Sequence, residues 1–392
     1  MRKVDAVHPK REMMSWEKSL LGVTVEEAPL LVPGLLLAGA IAWASVWLSD
    51  FIGTRLMGME NTPISAVMVA IILGLAINNT IALPQLLTPG FTFSVKKLLR
   101  LGIILLGIRL SIFNVFRLGA LGVPVVVLCI GAALVFTTLL NRWLGLPERL
   151  GTLIAVGTSI CGVSAIVATG PAIEAEEEEI SYAVAVITVF GIAATLMYPH
   201  MANVVFAGDP TRVGLFLGTS VHDTSQVAGS ALVFAEVFSL PHALDVATVT
   251  KLVRNVFMAA VIPLMTLYYA RQTARVEGPG RQRIHFAKLL PLFIIGFLLL
   301  AVLRSVGDAG VNAGGRAFGL LEAGVWQSIY GSASSWAVNM LVVALAGVGL
   351  KTNFGAIRGL GIKPFLVGLG AALSVGLVSF TIITVLASLQ AF

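Results

Sequence analysis

Charge is what this 392-residue chain has least of. Asp, Glu, Lys and Arg make up 12% of it, about half of the roughly 25% usual in soluble domains. Hydrophobic residues make up 57% and mean hydropathy is +0.94. A soluble fold could not bury that much apolar surface, so a polytopic membrane protein is implied. Cysteine is also scarce: Cys129 and Cys161 both fall in apolar runs, which excludes a disulfide framework. The sequence has no Gly-x-x-x-x-Gly-Lys-Ser/Thr loop, which argues against ATP-driven transport by this chain alone. It also lacks a His-Glu-x-x-His motif and a Gly-x-Ser-x-Gly elbow, which argues against hydrolases of those types. Neither an enzyme activity nor a cofactor or metal is expected. The formal charge of +6 could suggest nucleic acid, but the basic residues sit in short loops between apolar runs and form no basic face. They report topology.

What is present is a succession of apolar segments, near residues 29–49, 63–78, 96–112, 120–140, 149–170, 180–199, 211–235, 246–270, 288–306, 333–350 and 363–388. Taking each as one crossing gives about eleven transmembrane helices and an all-α polytopic membrane protein. The stretch near 80–95, with Pro84 and Pro89, is too short and broken to count. Residues 1–28 read as a cytoplasmic tail or interfacial helix, and 29–392 as the transmembrane transporter domain. The first apolar run lacks the flanks of a cleavable leader and is expected to remain as an anchor.

Loop charge sets the orientation. The loop 271–288, with Arg275, Arg281 and Arg283, marks the cytoplasmic side. Alternation from it places the N-terminus, Lys96 with Lys97, Arg142 with Arg149, and Lys351 with Arg358 and Lys363 inside. Glu174, Glu176 to Glu179 and the C-terminus then lie outside.

Two polar stretches interrupt the apolar pattern. Gly157-Thr158-Ser159-Ile160-Cys161-Gly162-Val163-Ser164 is repeated in outline by Gly218-Thr219-Ser220-Val221-His222-Asp223-Thr224-Ser225, at an offset of about 61 residues. Glycine followed by hydroxyls in mid-span favours a broken helix. A break leaves backbone N–H groups with roughly half a positive charge near the bilayer centre, a ready anion site. Thr158, Ser159, Cys161, Gly162, Ser164, Thr219, Ser220, Ser225 and Gln226 are therefore the candidate substrate ligands. The competing reading is that small residues simply let helices pack closely. A second echo pairs Gly107, Leu110, Gly119 and Pro124 with Gly347, Leu350, Gly359 and Pro364, in opposite directions across the membrane, as inverted repeats would be. Counting every segment as a crossing makes the Gly-Thr-Ser copies parallel, so either one is re-entrant or the count is off.

His222 and Asp223 have no counterpart in the first copy. Burying an ionisable group in a span is costly, so they are the candidates for proton coupling; a structural polar network is the alternative. Lys251 and Arg254 lie three apart on one helix face and join the candidate substrate ligands as residues that attract an anion; they could instead balance Asp223 or snorkel toward headgroups. Pro263 is expected to kink the same span. The glutamate run suits a helix N-terminus rather than a cation site.

These motifs resemble the YeiH family, whose members carry the label of sulfate exporters: Gly-Thr-Ser-Ile-Cys-Gly-Val-Ser-Ala-Ile, Val-His-Asp-x-x-Gln-Val, Lys251 with Arg254, and the closing Gly-Leu-Lys-Thr-Asn. The likeness covers nearly everything between the first and last apolar segments. More distantly, the paired stretches are similar to those of LrgB-type proteins, sodium/proton antiporters and bile-acid symporters. That wider resemblance implies inverted repeats, two broken helices crossing near mid-membrane, core plus panel domains, elevator-like movement and a homodimer. Where this chain has Asp223 the family often has Glu; Glu174 departs from a more basic pattern. The expectation is a proton-coupled secondary transporter of a small anion, sulfate-like or an organosulfonate, in the bacterial cytoplasmic membrane. Its partners would be the anion, protons and the lipid bilayer. The alternatives are cation/proton antiport and ligand sensing without flux.

Overall fold

In hydrocarbon a backbone must satisfy its own N–H and C=O groups, and the apolar runs accordingly fold as helices. A computed structural model describes residues 23–56, 64–277, 291–353, 355 and 361–389, with side chains of 270–277 excepted. Residues 1–22, most of the loop 271–288 with Arg281 and Arg283, Arg358 and the last three residues lie outside the described set.

Among the described residues the α-helices are α1 (Leu31–Asp50), α2 (Ala66–Thr80), α3 (Thr88–Phe93), α4 (Leu99–Leu106), α5 (Ile112–Leu144), α6 (Glu148–Ser159), α7 (Val163–Ala172), α8 (Glu177–Val205), α9 (Pro210–Ser220), α10 (Thr224–Val237), α11 (His242–Val256), α12 (Met258–Glu277), α13 (Leu292–Gly314), α14 (Ala323–Lys351) and α15 (Ile362–Ser388). Among the described residues, seven helices are long and apolar enough to cross a bilayer: Val25–Leu56, Ile112–Leu144, Glu177–Val205, His242–Tyr269, Leu292–Gly314, Ala323–Lys351 and Ile362–Ser388. Among the described residues the all-α expectation holds apart from two short strands, β1 (Arg316–Ala317) and β2 (Leu321–Glu322), paired antiparallel.

Two local expectations are corrected. The stretch near 80–95 does join a rod: Pro89 sits in the first turn of α3, where its missing N–H costs nothing. A π-helical turn, Ser94–Leu98, carries α3 into α4. The span holding Pro263 is interrupted at Phe257, between α11 and α12, rather than at the proline.

The helices pack in two groups. In one, α1 to α4, α13 and α14 lie against each other; in the other, α5 to α12 and α15 do. Small residues let rods meet backbone to backbone: a Cβ on Gly74 of α2 would stand 3.0 Å from the Gly349 Cα of α14. Contacts between the groups run mainly through α10, against α2 and α14, and α5, against α13.

The larger correction concerns the two interrupted segments, which are hairpins rather than crossings. A Cβ on Gly214 would meet Ala243 and Val246, and one on Gly218 would meet Ala247 and Thr250, so α9 runs parallel to α11. Beyond the break, Thr224 lies against Asn255 near the far end of α11 (Nδ2 to Oγ1, 3.2 Å), and α10 returns to where α11 begins. The first segment behaves alike. Gly157 lies against Ile166, with 2.7 Å from its would-be Cβ to the Ile166 Cδ1, although nine residues of continuous helix would separate them by about 13.5 Å. Both arms also pack along α12: Cys161 meets Met258 at its start, while Leu150 and Ile173, at the outer ends of the two arms, share a cluster with Tyr269.

Only α8 separates the hairpins, so they enter from opposite ends of the bundle. Each hairpin removes one crossing from the simple count. Helix directions outside this region are unchanged, but Glu174 and Glu176 to Glu179 come to lie at the same end as Arg142 and Arg149, not opposite them.

Candidate functional site

The hairpin tips meet tip to tip. In the first, α6 stops at Ser159 and Gly162 begins α7 with φ +66° and ψ −126°, a region only glycine occupies freely. A Cβ on Gly162 would also stand 3.1 Å from the Asp223 Cα, Cβ and Oδ2. This position must be glycine for conformation and for closeness. In the second, α9 stops at Ser220, Val221 is extended, and Asp223 caps α10. Its Oδ1 accepts from the Ser225 N–H (2.9 Å) and hydroxyl (2.7 Å). Gln226 completes a capping box: its Oε1 accepts from the Asp223 N–H (3.1 Å) while its Nε2 donates to the Thr188 carbonyl (3.2 Å). Asp223 thus has a structural task as well as any in proton coupling.

Lys251 and Arg254 occupy the crossover, 1% and 0% exposed. Lys251 Nζ donates to the Ile160 carbonyl (2.8 Å), to Val221 (3.2 Å) and to His222. Arg254 donates through Nε to Ser159 (2.7 Å), through Nη1 to Thr219 (2.7 Å) and Val221 (3.0 Å), and through Nη2 to Thr158. Every acceptor is a carbonyl at or just beyond the C-terminus of α6 or α9, where helix dipoles leave negative charge and orphan oxygens. Each cation bridges both hairpins. Neither snorkels, and neither forms an ion pair with Asp223 or any other acid among the described residues. Two C-terminal dipoles supply about one unit of negative charge against the two cations, and the Asp223 carboxylate, whose field reaches Lys251, supplies further negative charge.

Most of the predicted hydroxyl ligands face inward. Thr158 donates to the Ile154 carbonyl, Ser159 to Val156 and Thr219 to Leu215, in the back-bonding pattern of mid-helix hydroxyls, and Thr219 also meets Ser379. All three are buried, as is Cys161. Ser220 Oγ and both ring nitrogens of His222 are buried with no hydrogen-bond partner among the described residues.

The residues that do line a cavity are Ser164, Asp223, Thr224, Ser225 and Gln226 from the tips, with Val184 and Thr188 from the N-terminal half of α8. The cavity holds about 330 Å³. Its opposite wall carries Lys96, Arg100 and Lys351, the last donating to Thr92 Oγ1 (3.0 Å). Loop charge alone makes Lys96 and Lys351 topology markers and gives Arg100 no role. The signal available was the spacing of Lys96 and Arg100, one turn apart on what is now a continuous rod. The N-terminus of α7 reaches the same cavity through Val163 and Ser164 and has no side-chain cap. Lys96 and Arg100 also line an adjoining cavity of about 670 Å³ with Lys97 and Thr92, so the basic wall continues away from the tips.

A family model described as "Conserved hypothetical protein 698" matches residues 33–368, most of the chain. The chain belongs to this family. It is the same family as YeiH, and its curated relatives are named UPF0324 membrane proteins. One from Streptococcus pneumoniae strain R6 is 33% identical over 311 residues, covering 78% of this chain and 85% of the relative. Another from Pseudomonas aeruginosa is 31% identical over 346 residues (86% and 89%). A third, from Agrobacterium fabrum strain C58, is 29% identical over 353 residues (90% and 92%). With the apolar helices, these relatives make the chain a multi-pass membrane protein.

Proposed function

We propose that this UPF0324 member is a secondary transporter of a small anion. The observation that carries the reading is the number of cations around the tips: two buried cations, neither in an ion pair, stand behind a cavity whose far wall adds Lys96, Arg100 and Lys351 against the single carboxylate of Asp223. Cations placed to attract an anion, an uncapped helix N-terminus and the Ser164 and Thr224 hydroxyls suit an oxyanion, as the label of sulfate exporter on the YeiH family also suggests. A cation carrier would need more than the single carboxylate of Asp223. Proton coupling falls to Asp223, which faces the cavity, in preference to His222, which does not.

The opposed hairpins support alternating access through an inverted repeat, each unit being a hairpin followed by a long rod: α6, α7 and α8, then α9 to α12. In this reading α5 to α12 with α15 form the moving core, and α1 to α4 with α13 and α14 the panel. The cavity runs from the tips along the N-terminal half of α8. At the other end, polar ties close the two groups: Arg109 Nε to Asp245 Oδ1 (2.8 Å), Arg109 Nη1 to Ser334 Oγ (3.2 Å) and Ser65 Oγ to Glu236 Oε2 (2.5 Å). These ties would have to break for the site to face the other side. The N-terminus and the cavity mouth face the cytoplasm in this account, and the membrane is the bacterial cytoplasmic membrane.

The test is thermal unfolding of the detergent-purified chain against sulfate, sulfite, thiosulfate, sulfonates, carboxylates, sodium and lithium at matched ionic strength. A ligand of the folded state raises the midpoint by mass action. A shift with one anion class, lost in Lys351→Gln, supports the reading. A shift with sodium or lithium alone replaces it with cation exchange.

A further inference from the structure

The cavity carries unpaired charge of both signs, which a site for a simple anion does not require. Asp223 accepts through Oδ1 from Ser225, and its carboxylate also accepts from the Gln226 N–H in the capping box, so its partners on the second hairpin all come from the first turn of α10. From the first hairpin the residue set against Oδ2 is Gly162, whose would-be Cβ stands 3.1 Å from it and which brings no side-chain donor. No ion pair joins Asp223 to Lys96, Arg100 or Lys351, although all four line the same cavity. Lys351 instead donates to Thr92. The nearest buried cation, Lys251, acts on Asp223 at a distance and not as an ion pair, and a carboxylate repels an anion brought toward it. A volume of about 330 Å³ leaves room for a molecule several heavy atoms long, since a single water takes up about 30 Å³.

We infer that the cargo of this cavity is a small zwitterion, with an ammonium group received by Asp223 and an oxyanion, sulfonate or carboxylate, received by the Lys96, Arg100 and Lys351 wall. The inference rests on the oxyanion-receiving wall of the anion-transport reading and adds a cationic group to the cargo. Gln226 and Ser225 hold the carboxylate in place, as positioning residues. The capping box fixes the Asp223 side chain before any ligand arrives, so little ordering is lost on binding. A ligand bearing both charges neutralises both walls at once.

The experiment compares matched pairs that differ only in the cationic group: 2-aminoethanesulfonate against 2-hydroxyethanesulfonate, and 3-aminopropanoate against 3-hydroxypropanoate. Affinity is taken from the midpoint shift of the full chain in detergent as each ligand is titrated, with sulfate alongside. The expected result is at least tenfold tighter binding of one amino member than of its hydroxy partner. Asp223→Asn should level that pair, the amino member weakening and the hydroxy member binding at least as tightly as in the wild type once the repelling carboxylate is gone. Asn is also a good N-cap, so α10 keeps its start, and Asp223→Ser serves as a second capping variant. Equal binding of both members, or an amino preference that survives in both variants, overturns the zwitterion assignment. Sulfate binding with neither pair bound overturns the zwitterion and leaves the anion reading standing. Failure of every anion and zwitterion to bind overturns both.

Discussion

Replacing Arg254 should cost more stability than any other change of one polar residue at the crossover. Its guanidinium reaches Thr158 and Ser159 on one hairpin and Thr219 and Val221 on the other. A charged hydrogen bond is worth about 1.5–3 kcal/mol net. In Arg254→Lys the charge stays, but a single ammonium cannot present the planar fork. Loss of about two of the bonds implies roughly 3 kcal/mol or somewhat more. In Arg254→Met no donor remains, and the carbonyls at the ends of α6 and α9 lose that cap inside the bundle. Breaking a buried charged network in this way costs about 3–5 kcal/mol or more. The assay is the unfolding midpoint in detergent. At about 2 °C per kcal/mol for a large chain, the Lys variant should fall by roughly 5 °C and the Met variant by roughly 10 °C. A Met variant that melts with the wild type would refute the claim that this side chain binds the hairpins together.

Three further changes probe separate parts of the structure. Gly162→Ala places a Cβ in the left-handed region and against Asp223, which should cost about 1–3 kcal/mol and abolish transport in protein that still folds, as flux and midpoint together will show. Asp245→Asn removes the ion pair with Arg109; single cysteines placed at the ends of α10 and α11 should then label faster with a water-soluble maleimide, while their labelling in the parent stays slow. In a background lacking Cys129 and Cys161, cysteines at Arg149 and Glu174 should react from the same side of sealed vesicles; labelling from opposite sides would rule out a re-entrant first hairpin.

The rods were legible because their signal is hydropathy, and a long apolar run can satisfy its backbone in few ways. The breaks at Gly157 to Gly162 and Gly218 to Asp223 were legible too, since glycine and clustered hydroxyls in mid-span are poor continuous helix. What the chain does beyond a break is not carried by local pattern: a hairpin and a crossing share the same composition, and it takes contacts between distant residues, such as Gly157 against Ile166 and Thr224 against Asn255, to distinguish them. The loop-charge argument gave consistent helix directions at both ends of the chain because the two hairpins together remove an even number of crossings, while the glutamate run between them was placed at the wrong end.

The site was read in part. Asp223, Ser164, Ser225 and Gln226 do line the cavity, and Asp-x-x-Gln is a capping box visible in sequence. Thr158, Ser159 and Thr219 looked like ligands by type, yet their hydroxyls bond their own helices. Lys251 and Arg254 were expected to snorkel or to meet substrate or Asp223; they cap two helix ends brought together from residues up to 96 positions away in sequence. Lys96, Arg100 and Lys351 were missed as site residues because their shared cavity exists only once α3, α4 and α14 pack against the tips.

Flux tests the central claim most directly. Proteoliposomes holding the purified chain would be loaded with the unlabelled ligand that raises its midpoint most, and uptake of the labelled ligand followed at two pH values. The account predicts counterflow well above that of empty liposomes, faster with an imposed proton gradient and reduced several-fold by Lys351→Gln. Saturable binding with no counterflow at either pH would contradict transport and make the cavity a sensor's ligand site.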